Sequence, residues 1–209
     1  DTETTGVDAM LASLVGMSFA WNIHEAYYIP FPQDEQVREK YLSILAPLFS
    51  QENIKWVGQN IKYDLLILKK YGYTLVGEIF DTMVAHYVMS PEGKRNMDLL
   101  SMKYLGYEPI SIETLIGKKG KSQLNMKDIP VAQVFDYAAE DADVTLQLYK
   151  TFEPMLEAEG VKELFDTVDN PLVKILADIE FEGVAIDVPF LQQFSHTLGE
   201  AIIKAEESV

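Results

Sequence analysis

At 209 residues, 48% of them apolar and with 12 glycines and 9 prolines, the chain can bury one sizeable core plus an accessory piece, and a disordered or fibrous polymer is excluded. A balance of 17 basic against 33 acidic side chains gives a net charge of −16, which excludes a grip on nucleic acid by bulk electrostatics but leaves room for a local basic path. Cysteine is absent and His24, His86 and His196 lack metal-ligand spacing, so a bound metal would sit among oxygens, which points to Mg²⁺ or Mn²⁺.

The opening Asp1-Thr-Glu-Thr-Thr-Gly6 sets two acids two residues apart, and on an extended strand such a pair projects to one face. Taken alone, these acids read better as solvated charge, and the pair gains meaning only in company with other motifs. Leu14–Trp21 alternates in part and is followed, after the turn-like Asn22-Ile-His-Glu25, by Ala26–Phe31, which predicts an antiparallel hairpin. A helical pattern runs from Asp34 to about Phe49, with Val37, Tyr41, Leu42, Ile44, Leu45 and Leu48 on one broad face. Ile54–Val57 predicts a short strand, and a helix follows from about Asn60 to Lys70. Asn60 and Asp64 stand one turn apart there, above strand ends where α/β sheets gather ligands. Asn60 also suits a plain N-cap.

Further helices are expected at 81–89, 97–105, 112–116 and 128–153, so strands come early and helices late, in an α/β layered domain. In the last of these helices Asp136, Glu140, Asp143, Gln147 and Lys150 recur at spacings of four and three, the mark of a solvated face. Asp141 lies off that face among Tyr137, Ala138, Val144, Thr145 and Leu148. An acid directed toward the protein needs a partner, and a cation is the simplest one. From about Gly160 the pattern changes to long amphipathic stretches, so 1–158 and 159–209 read as separate units. The first residue already lies inside a motif and a helical pattern still runs at Val209, so the chain reads as an excised fragment, with the first strand expected to extend upstream and Asp1 less firmly held. No run of about 18 apolar residues and no charged-then-apolar opening occurs, so neither a membrane span nor a signal peptide is expected and a cytoplasmic location is the default.

Asp1-Thr-Glu-Thr-Thr-Gly6, Val57-Gly-Gln-Asn-Ile-Lys-Tyr-Asp64 and Tyr137-Ala-Ala-Glu-Asp-Ala-Asp-Val-Thr145 resemble, in order and spacing, the three exonuclease motifs of the DEDD superfamily with the tyrosine-type third motif. With Asn96–Leu105 and the basic Gly117-Lys-Lys-Gly-Lys-Ser-Gln123, the chain is similar to the proofreading domain of bacterial family A polymerases. Its tail, Leu164-Phe-Asp through Asn170-Pro-Leu-Val173 to Gly183-Val-Ala-Ile-Asp187, resembles the opening helices of the polymerase domain. The resemblance implies an RNase H-like mixed sheet flanked by helices, followed by helices that begin the polymerase domain. It implies a monomer, cytoplasmic and nucleoid-associated, acting on single-stranded or frayed DNA 3′ ends beside the polymerase domain of its own chain.

The resemblance further implies a two-metal nuclease with Mg²⁺ or Mn²⁺. Asp1, Glu3 and Asp141 would bind the first ion, and Asp1 would bridge to a second served by Asp64. Tyr137 would orient the attacking water. Asn60, with Gln59, Lys62, Arg95 and the lysines of 118–121, would contact the strand end and its phosphates. An RNase D-like RNA 3′ exonuclease shares this chemistry, and a catalytically silent scaffold shares the fold.

Overall fold

The computed structural model describes residues 1–120 and 122–208; Lys121, at the end of the expected basic run, and Val209 lie outside the described residues. The expected hairpin is present. Strand β2 (Leu14–Asn22) pairs antiparallel with β3 (Glu25–Pro30), and β1 (Thr2–Thr4) pairs antiparallel with the other edge of β2. At the hairpin tip His24 takes a left-handed conformation, φ 64°.

Helix α1 (Glu35–Phe49), capped by the Asp34 carboxylate on the Val37 N–H, leads to β4 (Lys55–Gly58), and α2 (Ile61–Lys70) follows. Strand β5 (Glu78–Asp81) lies parallel to β4, with Gly58 opposite Asp81. The α/β layer therefore carries its strands in two small sheets, β1-β2-β3 and β4-β5. An apolar cavity of about 430 Å³, lined by Met17, Phe19, Trp21, Trp56 and Val57 among others, lies between them.

The expected helix over 81–89 starts one residue later, as α3 (Thr82–Met89), because Asp81 ends a strand that the sequence reading left out. Helices α4 (Met97–Tyr104) and α5 (Ile112–Ile116) match expectation, and the long helix α6 spans Val131–Ala158 after a 3₁₀ turn at Met126–Asp128. Pro154 stays inside α6. A short α7 (Lys162–Leu164) and a π-helical turn (Phe165–Asp169) run into α8 (Asn170–Glu182), and α9 (Val188–Glu207) ends the described chain.

Two faces of α6 hold the molecule together. Val144, Leu148, Phe152 and Leu156 pack with Phe80, Ala85, Leu100 and Phe165, while Val134 and Ala138 pack with Met126 and Ile129. The remaining core gathers Leu14, Leu42, Phe49, Ile61, Leu65, Leu66, Ile67 and Leu68 around Val173 and Ala177 of α8. The polar face of α6 is only partly the solvated one expected. Glu140 accepts the Tyr107 hydroxyl and the Ile110 N–H, and Asp143 accepts the His24 N–H at 2.6 Å. These acids tie neighbouring segments to the helix, a tertiary use that periodicity alone does not reveal.

Candidate active site

Strand β1 places the first motif. Asp1 is held beside β2 by two main-chain bonds with Ser18, its nitrogen donating at 3.0 Å and its carbonyl accepting at 3.1 Å, while its side chain stays exposed. Glu3 stands opposite Gly16 in the ladder and is buried. A Cβ on Gly16 would meet the Tyr28 hydroxyl at 2.2 Å, so the glycine makes room for that ring beside Glu3.

Helix α6 brings Asp141 to the same place. One carboxylate oxygen from each of Asp1, Glu3 and Asp141 lies within 4.8 Å of the others. Glu3 Oε1 and Asp141 Oδ1 are buried and lack a hydrogen-bond partner, a state that costs free energy unless a cation or proton meets it. Burial lifts Glu3 to about 7, the α-amino group of Asp1 opposing the rise and Asp64 adding to it. Burial also raises Asp141 well above its ordinary value, with the adjacent Tyr137 hydroxyl pulling the other way and Glu3, Glu140 and Asp98 adding to the rise. Three carboxylates, two of them carrying an orphaned oxygen, fit a hard divalent cation.

Asp64, on α2, is not among the three clustered acids but lines the cavity beside Asp1 and Thr2. It is buried, and Oδ1 accepts the Thr2 hydroxyl at 2.5 Å. Burial raises its pKa, against the α-amino group of Asp1 and the Thr2 hydrogen bonds. Tyr137 is half-buried one turn before Asp141; burial, then Asp141 and Glu3, hold its phenol in the protonated form.

The expected strand contacts are placed less uniformly. Asn60 is exposed, in a left-handed conformation with φ 60°, and its side chain makes no cap bond. It lines a cavity of about 320 Å³ with Val7, Asp8, Lys62, Tyr63 and Glu180. Lys62 is ion-paired with Glu180 of α8. Gln59 faces inward: its amide donates to the Arg95 carbonyl at 2.7 Å and accepts the Thr82 hydroxyl. Arg95 lies over the Tyr87 ring at 4.7 Å and donates to the Pro91 carbonyl.

Sequence reasoning missed Thr2, Tyr28 and Asp81. Thr2 lies between the two motif acids, and nothing in its sequence context signals that it is buried, at 8% exposure. Asp81 opened the expected helix, where an acid suits an N-cap, but nothing in the sequence signalled its bonds to the Asn60 and Ile61 N–H groups.

Residues 1–157 match the protein family described as 3′-5′ exonuclease. The chain is 39% identical to DNA polymerase I of Pseudomonas aeruginosa over 99% of its own length and 24% of that protein. It is 34% identical to DNA polymerase I of Rhizobium leguminosarum over its whole length and 23% of that protein. The chain thus spans about a quarter of the length of these curated relatives. Among solved structures, the POL domain of Pol1 from M. smegmatis, in complex with DNA primer-template and dNTP, superposes with a TM-score of 0.74 at 20% identity, over 94% of this chain and 30% of that one. NrnC of Brucella melitensis with bound Mg²⁺ superposes with a TM-score of 0.61 at 18% identity, over 85% of this chain and 80% of that one. Both likenesses concern the fold.

Proposed function

The chain belongs to the 3′-5′ exonuclease family, and from that premise we propose that it is the proofreading unit of a DNA polymerase I-type enzyme, hydrolysing the terminal phosphodiester of DNA 3′ ends. The observation that carries the reading is the convergence of Asp1, Glu3 and Asp141 with two buried, unpartnered carboxylate oxygens. Residues 159–209 are the start of the polymerase domain in this reading.

Asp1, Glu3 and Asp141 would hold one divalent cation, and Asp64 with Asp1 would serve a second. Such ions supply positive charge at the phosphate and a water of lowered pKa. The protein residues do the positioning. Tyr137, whose phenol burial and the neighbouring acids favour in the neutral form, would orient the attacking water in line with the scissile bond. The water oxygen bonds to phosphorus and gives up a proton to solvent, the 3′ oxygen of the penultimate nucleotide leaves and takes up a proton from solvent, and a nucleoside monophosphate is released. Asn60 steadies the strand end, Lys62 meets phosphate once freed from Glu180, and Gln59 acts by holding the segment that carries Arg95.

The test uses the full polypeptide with 5′-blocked, 3′-labelled oligonucleotides of DNA and RNA. Mg²⁺-dependent release of labelled monophosphate from DNA, abolished by chelator and far slower with RNA, is the expected result. Preferential attack on RNA favours the RNase D-like alternative, and no release from either strand favours the scaffold.

A further inference from the structure

Asp81 is buried at 1% exposure, at the junction of β5 and α3, and is not one of the clustered acids. Its carboxylate accepts four main-chain N–H groups. Oδ1 takes those of Asn60 at 3.2 Å, Met83 at 2.9 Å and Val84 at 3.2 Å, and Oδ2 takes that of Ile61 at 2.9 Å. One side chain thus caps α2 and α3 together, placing a negative charge at the positive ends of both helices. The next residue continues the clamp, since the Thr82 hydroxyl bonds the Gly58 carbonyl at 3.2 Å and the Gln59 side chain. Residues 58–61 are consequently gripped one after another from a single corner.

That corner is itself fixed from α8. The Asn170 amide accepts the Asp81 N–H at 3.1 Å and donates to the Ile79 carbonyl at 2.6 Å. Bonds to residues i and i+2 of one strand reproduce the pattern of a parallel strand partner, so Asn170 stands in for a neighbour on that edge of β5.

What the clamp holds is unusual backbone. Asn60 and His24 are the non-glycine residues with positive φ among the described residues, and such a conformation persists only where its surroundings over-determine it. The Asn60 side chain makes no cap bond, Asp81 doing that work, and it lines the 320 Å³ cavity.

We propose that Asp81 is a positioning residue for strand binding, acting through Asn60: it locks Asn60 in the left-handed conformation that presents its amide to the DNA 3′ end. The inference rests on the proposed nuclease reading and names a residue outside its motifs. Asp64 is held separately by Thr2, so the loss of Asp81 should tell on binding more than on turnover.

The test is a double-mutant cycle of Asp81→Asn and Asn60→Ala in the full polypeptide. Binding of a fluorescent single-stranded oligonucleotide is measured in chelator, and kcat and KM are measured with Mg²⁺. Asp81→Asn keeps the volume and up to three of the four bonds, and we expect it to weaken binding and raise KM by about five- to tenfold with kcat within about threefold. In the Asn60→Ala background the same change should cost less than about twofold. Wild-type binding by Asp81→Asn, or a penalty that adds in full to that of Asn60→Ala, overturns the proposal. If Asp81→Asn loses its circular dichroism signature, Asn170→Ala replaces it, releasing β5 while leaving the carboxylate in place; an effect on binding that survives Asn60→Ala then overturns the proposal equally. A wild-type polypeptide that binds DNA yet releases no mononucleotide refutes the nuclease reading, while the binding cycle still judges Asp81.

Discussion

At the scale of the residue, the site is a set of acids held where acids are unstable. Burial lifts Glu3 to about 7 and raises Asp64 and Asp141. A folded-state pKa above the unfolded value contributes stability that is fully present below about pH 4 and is lost as pH rises through the raised value. Thermal melts of the metal-free protein should therefore fall between about pH 5 and 7.5, and Glu3→Gln should flatten that decline while raising the melting temperature at pH 7.5 by roughly 2–4 °C per kcal/mol relieved. A profile unchanged by Glu3→Gln contradicts this account. Asp141→Ala and Asp64→Ala should lower exonuclease turnover by roughly 10³-fold with the fold intact by circular dichroism; near-normal degradation by either variant removes the four-acid site. Tyr137→Phe keeps the ring and loses the donor, so kcat should drop about 10²-fold while KM stays put; a rise in KM alone makes Tyr137 a binding residue. The convergence of Asp1, Glu3 and Asp141 was legible because their spacing on a strand and on a helix places them on a shared or inward face. Thr2 was not, since a hydroxyl between two acids shows nothing of the carboxylate it will bond across 62 positions of chain.

At the scale of the element, long helices announced themselves and short strands did not. The apolar rows of α1, α2 and α6 repeat over several turns, whereas β5 has only four residues, Glu-Ile-Phe-Asp, too few to display a period. Its identity depends on β4, to which it pairs from a distance in sequence, and on Asn170, which is farther still. The same non-local logic explains Asp143, read as solvated and found tying the β2-β3 tip to α6 through the His24 N–H. Asp143→Ala should cost about 1–2 kcal/mol in chemical denaturation and leave nuclease activity unchanged, because the bond serves the hairpin. His24→Gly should recover part of that loss, as glycine enters the left-handed region without strain. If Asp143→Ala is neutral, the contact contributes nothing to stability.

At the scale of the whole molecule, the helices after Ala158 are structurally joined to what precedes them. Phe165, Val173 and Ala177 are buried among residues of β5, α2 and α6, and Lys174 donates to the Leu75 and Gly77 carbonyls. Phe165→Ala should therefore destabilise the nuclease unit by about 3–5 kcal/mol, measured by denaturation with a probe in α2; a loss confined to the C-terminal helices contradicts this packing. Helix α9 is different, because Phe190, Leu191, Phe194, Leu198 and Ile202 are all at least 48% exposed along it. A bare apolar row of this kind on a chain of net charge −16 sets up a colloidal contest, in which mutual repulsion holds copies apart while the row draws them together. Repulsion is the term that dissolved ions erase, its range shrinking from about 30 Å at 0.01 M to about 3 Å at 1 M salt. Sedimentation of the isolated chain should accordingly shift to larger species as salt is raised, and Phe194→Glu, which interrupts the row and adds repulsion, should cancel the shift.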